Sequence, residues 1–492
     1  MEHDRTSGAS GSDQAGSALV APPNEFGKIE IYGIDIIPDE HRHGMPRDLF
    51  WPWFGANSTF INMIAGGVLI LNGLTLAQAL SAVIVGHLAY VLVGLCSLPG
   101  PQAGTAALII SRAPFGLRGN FVPTALSWAV TLGWETINII LGTFAIRTLL
   151  EQLGIPTPYW MLVPFLVIMA VLTFAIPLLG HATLVVAQKW LAYLLTVLTL
   201  VMAVLLLGKV NWDYQPTGAL GASTPLATWF LGLATVLGAG AMSWVNYASD
   251  YSRYLPRNSS RAAIVGWVTV ANFVPSILYG GLGVVIGTLV DTSDPVGNLP
   301  KILPTWFLLP FLVVIIAGVI ANNVMNSYSS GLNLLALGFK IERYKSVLVD
   351  GLITVCAACV ALFVYDFSTI FTQFLSLLVI FMSPWAGVFL VDYYRRGGNY
   401  RSADLVRKQG GAYWYSDGIN WPAMIALMAG VVAGALCANT PLWQGIVSTN
   451  LLGGADLSPI VGIAVGASLY YFFTINMIVT ELAQFAHGKD TV

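Results

Sequence analysis

Residues 53–67 read WFGANSTFINMIAGG, an apolar run that small and polar residues interrupt at Gly55, Asn57 and Ser58. A helix in lipid satisfies its backbone hydrogen bonds internally, so a break at membrane depth is tolerated only where it lines a cavity or is buried in protein. The run therefore predicts a discontinuous membrane helix, with its break a few residues inside the bilayer.

A second run of this kind lies five apolar segments further along the chain. Residues 236–251 read VLGAGAMSWVNYASDY, where Gly238 and Gly240 are followed by Ser243. Gly-interrupted segments in corresponding positions of two halves are typical of transporters built from inverted repeats. An odd number of spans per repeat inserts the second repeat upside down, so we expect the broken helices to meet near the midplane. The alternative is that the glycines only allow close helix packing.

Composition places the chain in a membrane. Of its 492 residues, 56% are hydrophobic and 9% are charged, whereas a soluble domain has about 25% charged residues. Apolar runs of about 20 residues, enough to cross a bilayer, occur at 51–71, 76–98, 122–146, 160–180, 183–207, 226–248, 263–290, 306–338, 347–366, 368–391, 421–440 and 457–480. These runs are far longer than the ~10-residue strands of a membrane barrel. We predict an all-α protein of twelve transmembrane helices, a five-plus-five inverted repeat with discontinuous helices 1 and 6, followed by two more helices.

The runs also divide the chain. The predicted segments are a tail at 1–47 whose first ~24 residues are disordered, repeat 1 at 48–207, repeat 2 at 226–391, helices 11 and 12 at 421–480, and a tail at 481–492. Lysine and arginine favour cytoplasmic loops, and only three of the 22, Arg147, Lys209 and Lys301, fall on the other side of this topology. Both termini are therefore expected in the cytoplasm, with the protein in the plasma membrane. The net charge of −2 argues against a nucleic-acid partner.

Polar residues concentrate in spans 3 and 8, which correspond in the repeat scheme. Span 3 reads LGWETINIILG at 132–142, and span 8 reads IANNVMNSYSSG at 320–331. Helical spacing puts Trp134 and Asn138 on one face of span 3. An amide without a partner in hydrocarbon costs roughly 4–8 kcal/mol, so each asparagine must bind protein or cargo. Aromatic faces beside amides suit a flat, neutral heterocycle, because its ring stacks and its edge both donates and accepts hydrogen bonds.

Five ordered motifs identify a family. They are YGIDIIPDEHRHGMPRDLFWPWFGAN at 32–57, SRAPFGLRGNFVP at 111–123, LGWETINIILG, YASDYSRYLPRNSS at 247–260 and NNVMNSYSSGLNLL at 322–335. Together they resemble the nucleobase:cation symporter family of purine and cytosine permeases, over roughly residues 30–480. The resemblance implies a LeuT-like fold and cation-driven import of a purine or pyrimidine base or a related ring, with no cofactor.

The resemblance also implies a substrate site. Trp134 would stack on the base, Asn138 would hold its edge one turn later, and Asn326 would contribute an amide from span 8. Asn322 and Asn323 are open to bonding with helix backbone, whereas Asn326 is predicted to face the cargo.

Spans 1 and 6 supply the remaining candidates. The polar residue at the break of span 1 is Asn57 or Ser58. In span 6, Ala241 stands where some relatives have an aromatic residue, so Trp244 is the candidate for the second stacking face and Ser243 lies beside it.

The resemblance also bears on the coupling cation. In sodium-coupled relatives the ion is bound by span-1 carbonyls, here near Gly55 and Ser58, by a span-8 carbonyl, here Gly318, and by two adjacent hydroxyls. This chain has Ala321 and Asn322 at the hydroxyl pair, and this departure weakens a sodium site at Asn322. H⁺ is therefore the expected coupling ion, with Na⁺ as the alternative.

Glu135 is the candidate for proton coupling, because a carboxylate in mid-span is functional by default. Its alternatives are a neutral packing residue or a partner to a neighbouring span. Alternative cargoes are allantoin or hydantoin rings and vitamin-like rings such as hydroxymethylpyrimidine or pyridoxine. A membrane-embedded enzyme would need clustered His, Asp and Glu ligands or a nucleophile with its base, and the sequence offers neither, so no enzymatic activity is expected.

Overall fold

The computed structural model describes residues 33–175, 181–216, 222–339, 343–364, 367–407 and 409–487. Its membrane helices are α1a (Phe50–Asn57), α1b (Phe60–Leu71), α2 (Leu76–Leu88, Tyr90–Cys96 and Pro99–Ala103), α3 (Phe121–Gln152), α4 (Leu162–Ala175), α5 (His181–Leu207), α6a (Pro225–Ala239), α6b (Ala241–Trp244 and Ala248–Ser252), α7 (Arg261–Gly287), α8 (Thr305–Ala336), α9 (Arg343–Val364), α10 (Phe367–Arg396), α11 (Trp421–Cys437) and α12 (Ser458–His487). Short helices connect them at Asp39–His41, Pro46–Leu49, Ala107–Ile110, Arg112–Phe115, Tyr159–Met161, Leu299–Lys301, Ser402–Val406 and Ile446–Leu451. The segment predicted to be disordered, residues 1–24, lies outside the described residues.

These helices account for the twelve predicted spans. Seven helices of the described chain are long and apolar enough to cross a membrane, and α1a with α1b forms an eighth span with a 55° bend. Four shorter apolar helices lie at Tyr159–Phe174, Tyr193–Leu207, Val347–Phe363 and Trp421–Cys437. Large apolar side chains remain exposed on the outside of the bundle, such as Val204 and Leu352, as expected for a surface in contact with lipid. The prediction of an all-α membrane protein is confirmed.

The break in helix 1 falls at the predicted residues. α1a ends at Asn57, and Ser58 adopts φ −79° and ψ 68°, outside the helical region. Thr59 is extended, and its side chain accepts a hydrogen bond from the backbone N–H of Ile61, which starts α1b. Serine and threonine thus end one helix and begin the next.

The break in helix 6 falls at Gly240. Thr224 caps α6a by accepting from the N–H of Ala227 at 3.1 Å, and Pro225 occupies the first helical position. The helix then ends at Gly240, which adopts φ −101° and ψ −111°. Both predicted discontinuities are therefore present.

Close helix packing explains other glycines. A Cβ atom on Gly66 would overlap the carbonyl of Gly280, and one on Gly283 would overlap the carbonyl of Met63. α1b and α7 therefore touch backbone to backbone, as small residues permit in membranes. Both interpretations of the glycines hold, each at different positions.

The last helix extends past the predicted boundary at 480, because α12 continues to His487. Glu481 lies on this extension and pairs with Arg396, whose Nη1 is 2.5 Å from Glu481 Oε1. Arg396 Nε also lies 2.8 Å from Asp392 Oδ1. This buried ion cluster holds α12 against the end of α10, so the helix extends beyond the apolar segment.

Candidate functional site

The two breaks border one small cavity at the centre of the bundle. It is lined by Ala56, Asn57, Thr59, Ile61, Asn62, Trp134, Ala239, Ser243, Trp244 and Asn322. The cavity has a volume of about 10 Å³, which is room for about one water molecule. Helices 1, 3, 6 and 8 thus converge on one point, as the repeat argument predicted, in a conformation that is closed around it.

Trp134 and Trp244 bring two indole rings to this cavity from opposite repeats. Trp134 meets Phe374 edge to face, with ring centres 5.2 Å apart and planes at 89°. Trp244 meets Trp53 in the same way, at 5.5 Å and 89°. Both indoles are almost fully buried, and no contact found among the described residues stacks a parallel ring on Trp134. Each indole thus packs perpendicular to a neighbouring aromatic ring.

A chain of amides links α3, α8 and α1a. Asn138 Nδ2 donates to Asn322 Oδ1 at 2.9 Å, and Asn322 Nδ2 donates to the carbonyl of Ala56 at 2.8 Å. Asn326 Nδ2 also donates to Asn322 Oδ1, at 3.3 Å. Asn323 turns away and donates to the carbonyl of Glu135 at 3.1 Å. Asn322 is therefore the hub of the amides, although the sequence drew attention to Asn326.

On the face of α3 that carries Trp134, two buried polar atoms have no hydrogen-bond partner. They are Trp134 Nε1, a donor, and Asn138 Oδ1, an acceptor. The two residues lie one helical turn apart on the same face. Buried polar groups are normally satisfied, so this pair is suited to a ligand that offers an acceptor and a donor on one edge.

Asn57 is engaged by neighbouring helices. Its Nδ2 donates to Asn272 Oδ1 at 2.5 Å, and its Oδ1 accepts from the Tyr90 hydroxyl at 2.6 Å. Ser276 donates to that hydroxyl at 3.0 Å, and Asn62 Nδ2 donates to the carbonyl of Asn57 at 2.7 Å. The network ties the break in helix 1 to α7 and α2. Tyr90, Asn272 and Ser276 were not among the residues predicted for the site.

The other candidates at the breaks bond locally. Ser58 Oγ donates to the carbonyl of Phe54 at 2.8 Å. Ser243 Oγ donates to the carbonyl of Gly240 at 2.7 Å. The structure thus brings Asn57, Trp134, Ser243, Trp244 and Asn322 to the cavity wall. The wall does not include the remaining candidates, which are Ser58, Gly55, Asn138, Asn326, Gly318 and Glu135.

In the region predicted for a cation, an amide joins helices 1 and 8. The Asn322 side chain spans directly from α8 to the backbone of α1a. Gly318, one turn earlier on α8, packs against the side chain of Leu195 on α5. A carbonyl at the end of α1a is therefore satisfied by a neutral N–H donor.

Glu135 points away from the cavity towards α9. Its side chain is fully buried, and Oε2 accepts from the Thr354 hydroxyl at 3.0 Å. Asp350 lies one turn before Thr354 on α9 and is also fully buried. Asp350 was not among the predicted site residues, although a carboxylate inside the predicted span 347–366 is a signal that could have found it.

One end of the bundle is closed by the segment at 33–43. Its backbone N–H groups bond the carbonyls of Gly104 and Tyr254, and Arg253 Nη1 donates to the carbonyl of Gly33 at 2.7 Å. A hydrogen bond from Arg257 holds the pKa of the Asp39 carboxyl below its ordinary value. The segment thus ties α2 and α6b together.

A larger cavity opens near the other end. It has a volume of about 360 Å³ between α6a, α10 and the connection of α11 with α12. Thr235 lines it, one helical turn along α6a from Ala239 in the small cavity. The two cavities are therefore separated by about one turn of α6a.

Residues 36–462 match a family model described as permease for cytosine/purines, uracil, thiamine, allantoin. YxlA of Bacillus subtilis, which carries a provisional purine-cytosine permease name, is 28% identical over 457 residues, covering 90% of this chain and 95% of the relative. The cytosine permease of Escherichia coli K12 is 25% identical over 437 residues, covering 86% of this chain and 92% of the relative.

A solved structure shares the fold. Mhp1, a nucleobase-cation-symport-1 family transporter in a closed conformation with bromovinylhydantoin bound, superposes with a TM-score of 0.73. The superposition covers 91% of this chain and 95% of that one, at 19% sequence identity. This likeness confirms the predicted architecture.

Proposed function

Because this chain belongs to the family of permeases for cytosine/purines, uracil, thiamine and allantoin, we propose that it imports a purine or pyrimidine nucleobase by symport with H⁺. Family membership confirms the resemblance carried by the five sequence motifs, and it makes the chain a membrane transporter rather than an enzyme. Cytosine, adenine, guanine and hypoxanthine are the proposed cargoes.

The observation that carries the proposal is the pair of tryptophans on one cavity. Trp134 and Trp244 line the same space from helices 3 and 6. A base entering between them would stack on an indole face, a contact that favours any flat aromatic ring. The cavity holds about one water in this conformation, so it must widen to admit a base, as an alternating-access transporter does when one bundle rocks against another.

The amides supply recognition of the base edge. Asn322 lines the cavity, and Trp134 Nε1 and Asn138 Oδ1 are unpartnered. An indole N–H donates and an amide oxygen accepts, so the two atoms match an acceptor and a donor on one base. Asn326 joins this set through Asn322, and Asn57, Ser58 and Ser243 shape the breaks in the wall.

Proton coupling is supported by Asn322. Its amide donates to the Ala56 carbonyl, in the region where the family's sodium-coupled members hold their ion between helices 1 and 8. Ala321 beside it offers no hydroxyl. Gly55 and Gly318 could supply only their backbone carbonyls, and two oxygen ligands are too few for a sodium site. The proton is then carried by Glu135.

The orientation rests on charge. The termini and most lysines and arginines lie on one side of the predicted topology, which we assign to the cytoplasm. The segment at 33–43 then closes the cytoplasmic end, and the larger cavity faces the exterior of the plasma membrane.

A binding screen followed by transport tests the proposal. The purified protein would be heated with each of a panel of rings, and the stabilising ones offered as radiolabelled cargo to proteoliposomes. We expect saturable uptake of a nucleobase driven by an imposed pH gradient without sodium. Uptake that requires sodium, or no stabilisation by any base, would contradict it.

The same panel separates other cargoes. The family description includes thiamine and allantoin, and Mhp1 was solved with a hydantoin. Including allantoin, hydantoin, pyridoxine and hydroxymethylpyrimidine shows whether a non-nucleobase ring stabilises the protein more strongly, in which case that ring is the cargo.

A further inference from the structure

Glu135 lies at the junction of three helices behind the cavity. It follows Trp134 directly in the chain, but its carboxyl faces α8 and α9 instead of the cavity. Oε2 accepts from Thr354, whereas Oε1 is buried without a hydrogen bond. One carboxyl oxygen of Glu135 is therefore held by a hydrogen bond, and the other is not.

Asp350 repeats this arrangement one turn away. Its Oδ1 accepts from Trp128 Nε1 at 2.9 Å, whereas Oδ2 is buried without a partner. Thr354, which binds Glu135, is four residues further along α9, a rise of about 6 Å. The two carboxyls are close enough for the charge of Asp350 to act on Glu135. Each carboxyl thus has one fixed oxygen and one free oxygen.

Two hydroxyls on α8 complete the cluster. Ser327 lies beside Glu135 and Ser330 beside Asp350. Both residues are at most 1% exposed, and neither hydroxyl makes a hydrogen bond of good geometry. Two carboxyl oxygens and two serine hydroxyls of the three helices therefore lie near one another without well-formed hydrogen bonds, although buried polar groups are normally paired.

Few other ionisable groups surround the pair. α8 carries no Asp, Glu, Lys, Arg or His, and neither does α4. The Tyr247 phenol, between the two segments of α6b, is near enough to interact electrostatically with Glu135. The nearest charged groups of α10 lie at its end, from Asp392 onward. Within the described residues, no Lys or Arg forms an ion pair with Glu135 or Asp350. α9 itself carries Arg343 and Lys345, seven and five residues before Asp350. Two like charges in an apolar interior cannot both be ionised at low cost, so a proton held between the two carboxyls would stabilise the pair.

We propose that Glu135 and Asp350 share one proton and together form the coupling site of this transporter. The inference rests on the proposed H⁺ symport and adds Asp350 as the second carrier. The proton leaves Glu135 Oε1 and binds Asp350 Oδ2, so there is one acid and one carboxylate before and after. Ser327 and Ser330 are placed to relay it.

The direction of transfer follows from position along the helices. Glu135 lies near the middle of α3, next to the tryptophan of the cavity. Asp350 is the eighth residue of α9, and its partner Trp128 is the eighth of α3. Both therefore lie nearer the end that residues 33–43 cover, so the proton moves from the cargo site towards that end.

The test uses Asp350→Asn, which keeps the shape and the oxygen that accepts from Trp128. Asp404→Asn, the same change in a helix outside the membrane, is the matched control. Proteoliposomes would be loaded with whichever of adenine or cytosine binds the wild-type protein. We expect exchange of labelled for unlabelled base to persist in Asp350→Asn, because exchange needs no net proton transfer. Accumulation driven by a pH gradient should fall by about tenfold or more, since the shared proton is lost.

Infrared spectroscopy of the purified protein gives a readout that needs no cargo. A shared proton produces the carbonyl band of a buried carboxylic acid, which should disappear in Asp350→Asn and in Glu135→Gln alike. If wild type binds no base while the band behaves in this way, the proposed cargo is wrong and the proton site stands. A band that persists in both variants overturns the site.

The transport data can also overturn it. Asp350→Asn with normal gradient-driven accumulation would remove Asp350 from coupling. Stimulation by sodium that is lost in Asp350→Asn would make the pair a sodium site instead. If Asp350→Asn does not fold, Thr354→Val replaces it, because that change removes only the hydroxyl on Glu135 and should lower gradient-driven accumulation more than exchange.

Discussion

Replacing Trp134 by alanine should weaken cargo binding while leaving the transporter in the membrane. Stacking of a base on an aromatic side chain contributes about 1–3 kcal/mol, and each 1.4 kcal/mol is tenfold in affinity. The dissociation constant should therefore rise by about 5- to 150-fold. The ring lies perpendicular to Phe374 and lines the cavity.

The change also affects stability, because Trp134 is 5% exposed and truncating a buried tryptophan costs about 3–5 kcal/mol. Binding must therefore be measured on folded, monodisperse protein, by titration with labelled base. Trp134→Phe separates the two effects, since it keeps an aromatic face and should retain most of the affinity.

Trp160→Ala is the control, because Trp160 is 67% exposed and lies just before α4. It should bind as the wild type does. A dissociation constant within about twofold of wild type in Trp134→Ala would refute the stacking role.

Three further changes test the packing of the site. Asn322→Ala should lower the melting temperature more than Asn326→Ala, because Asn322 makes three hydrogen bonds to other residues. Each buried group left unsatisfied costs about 1–3 kcal/mol. Equal melting temperatures would mean that Asn322 is not the centre of the amide network. Tyr90→Phe should cost about 1 kcal/mol by removing the hydroxyl that binds the amide at the α1 break, and it should raise the dissociation constant of the base only slightly, which a binding titration checks. Gly283→Ala should destabilise by about 1–3 kcal/mol, since its methyl group would overlap the carbonyl of Met63; an unchanged melting temperature would show that α1b and α7 separate freely.

The helices and their breaks could be predicted from the sequence. Hydrophobicity over about 20 residues is a local property, and lipid offers no partner for a backbone outside a helix. Gly240 and the stretch from Asn57 to Thr59 therefore mark the discontinuities without knowledge of any neighbour. The likeness of the two halves added the antiparallel arrangement of helices 1 and 6.

Only the tertiary structure decided what each polar side chain does. An amide on a helix face can bind cargo or a partner helix, and the sequence does not distinguish them because the partner lies far along the chain. Asn322 binds a carbonyl 266 residues away, and Asn57 binds an amide 215 residues away. Asp350 comes to lie beside Glu135 because α9 packs on α3. The sequence determined which segments cross the membrane and where they break, and helix packing alone decided which polar groups are satisfied by protein and which remain open to a base or a proton.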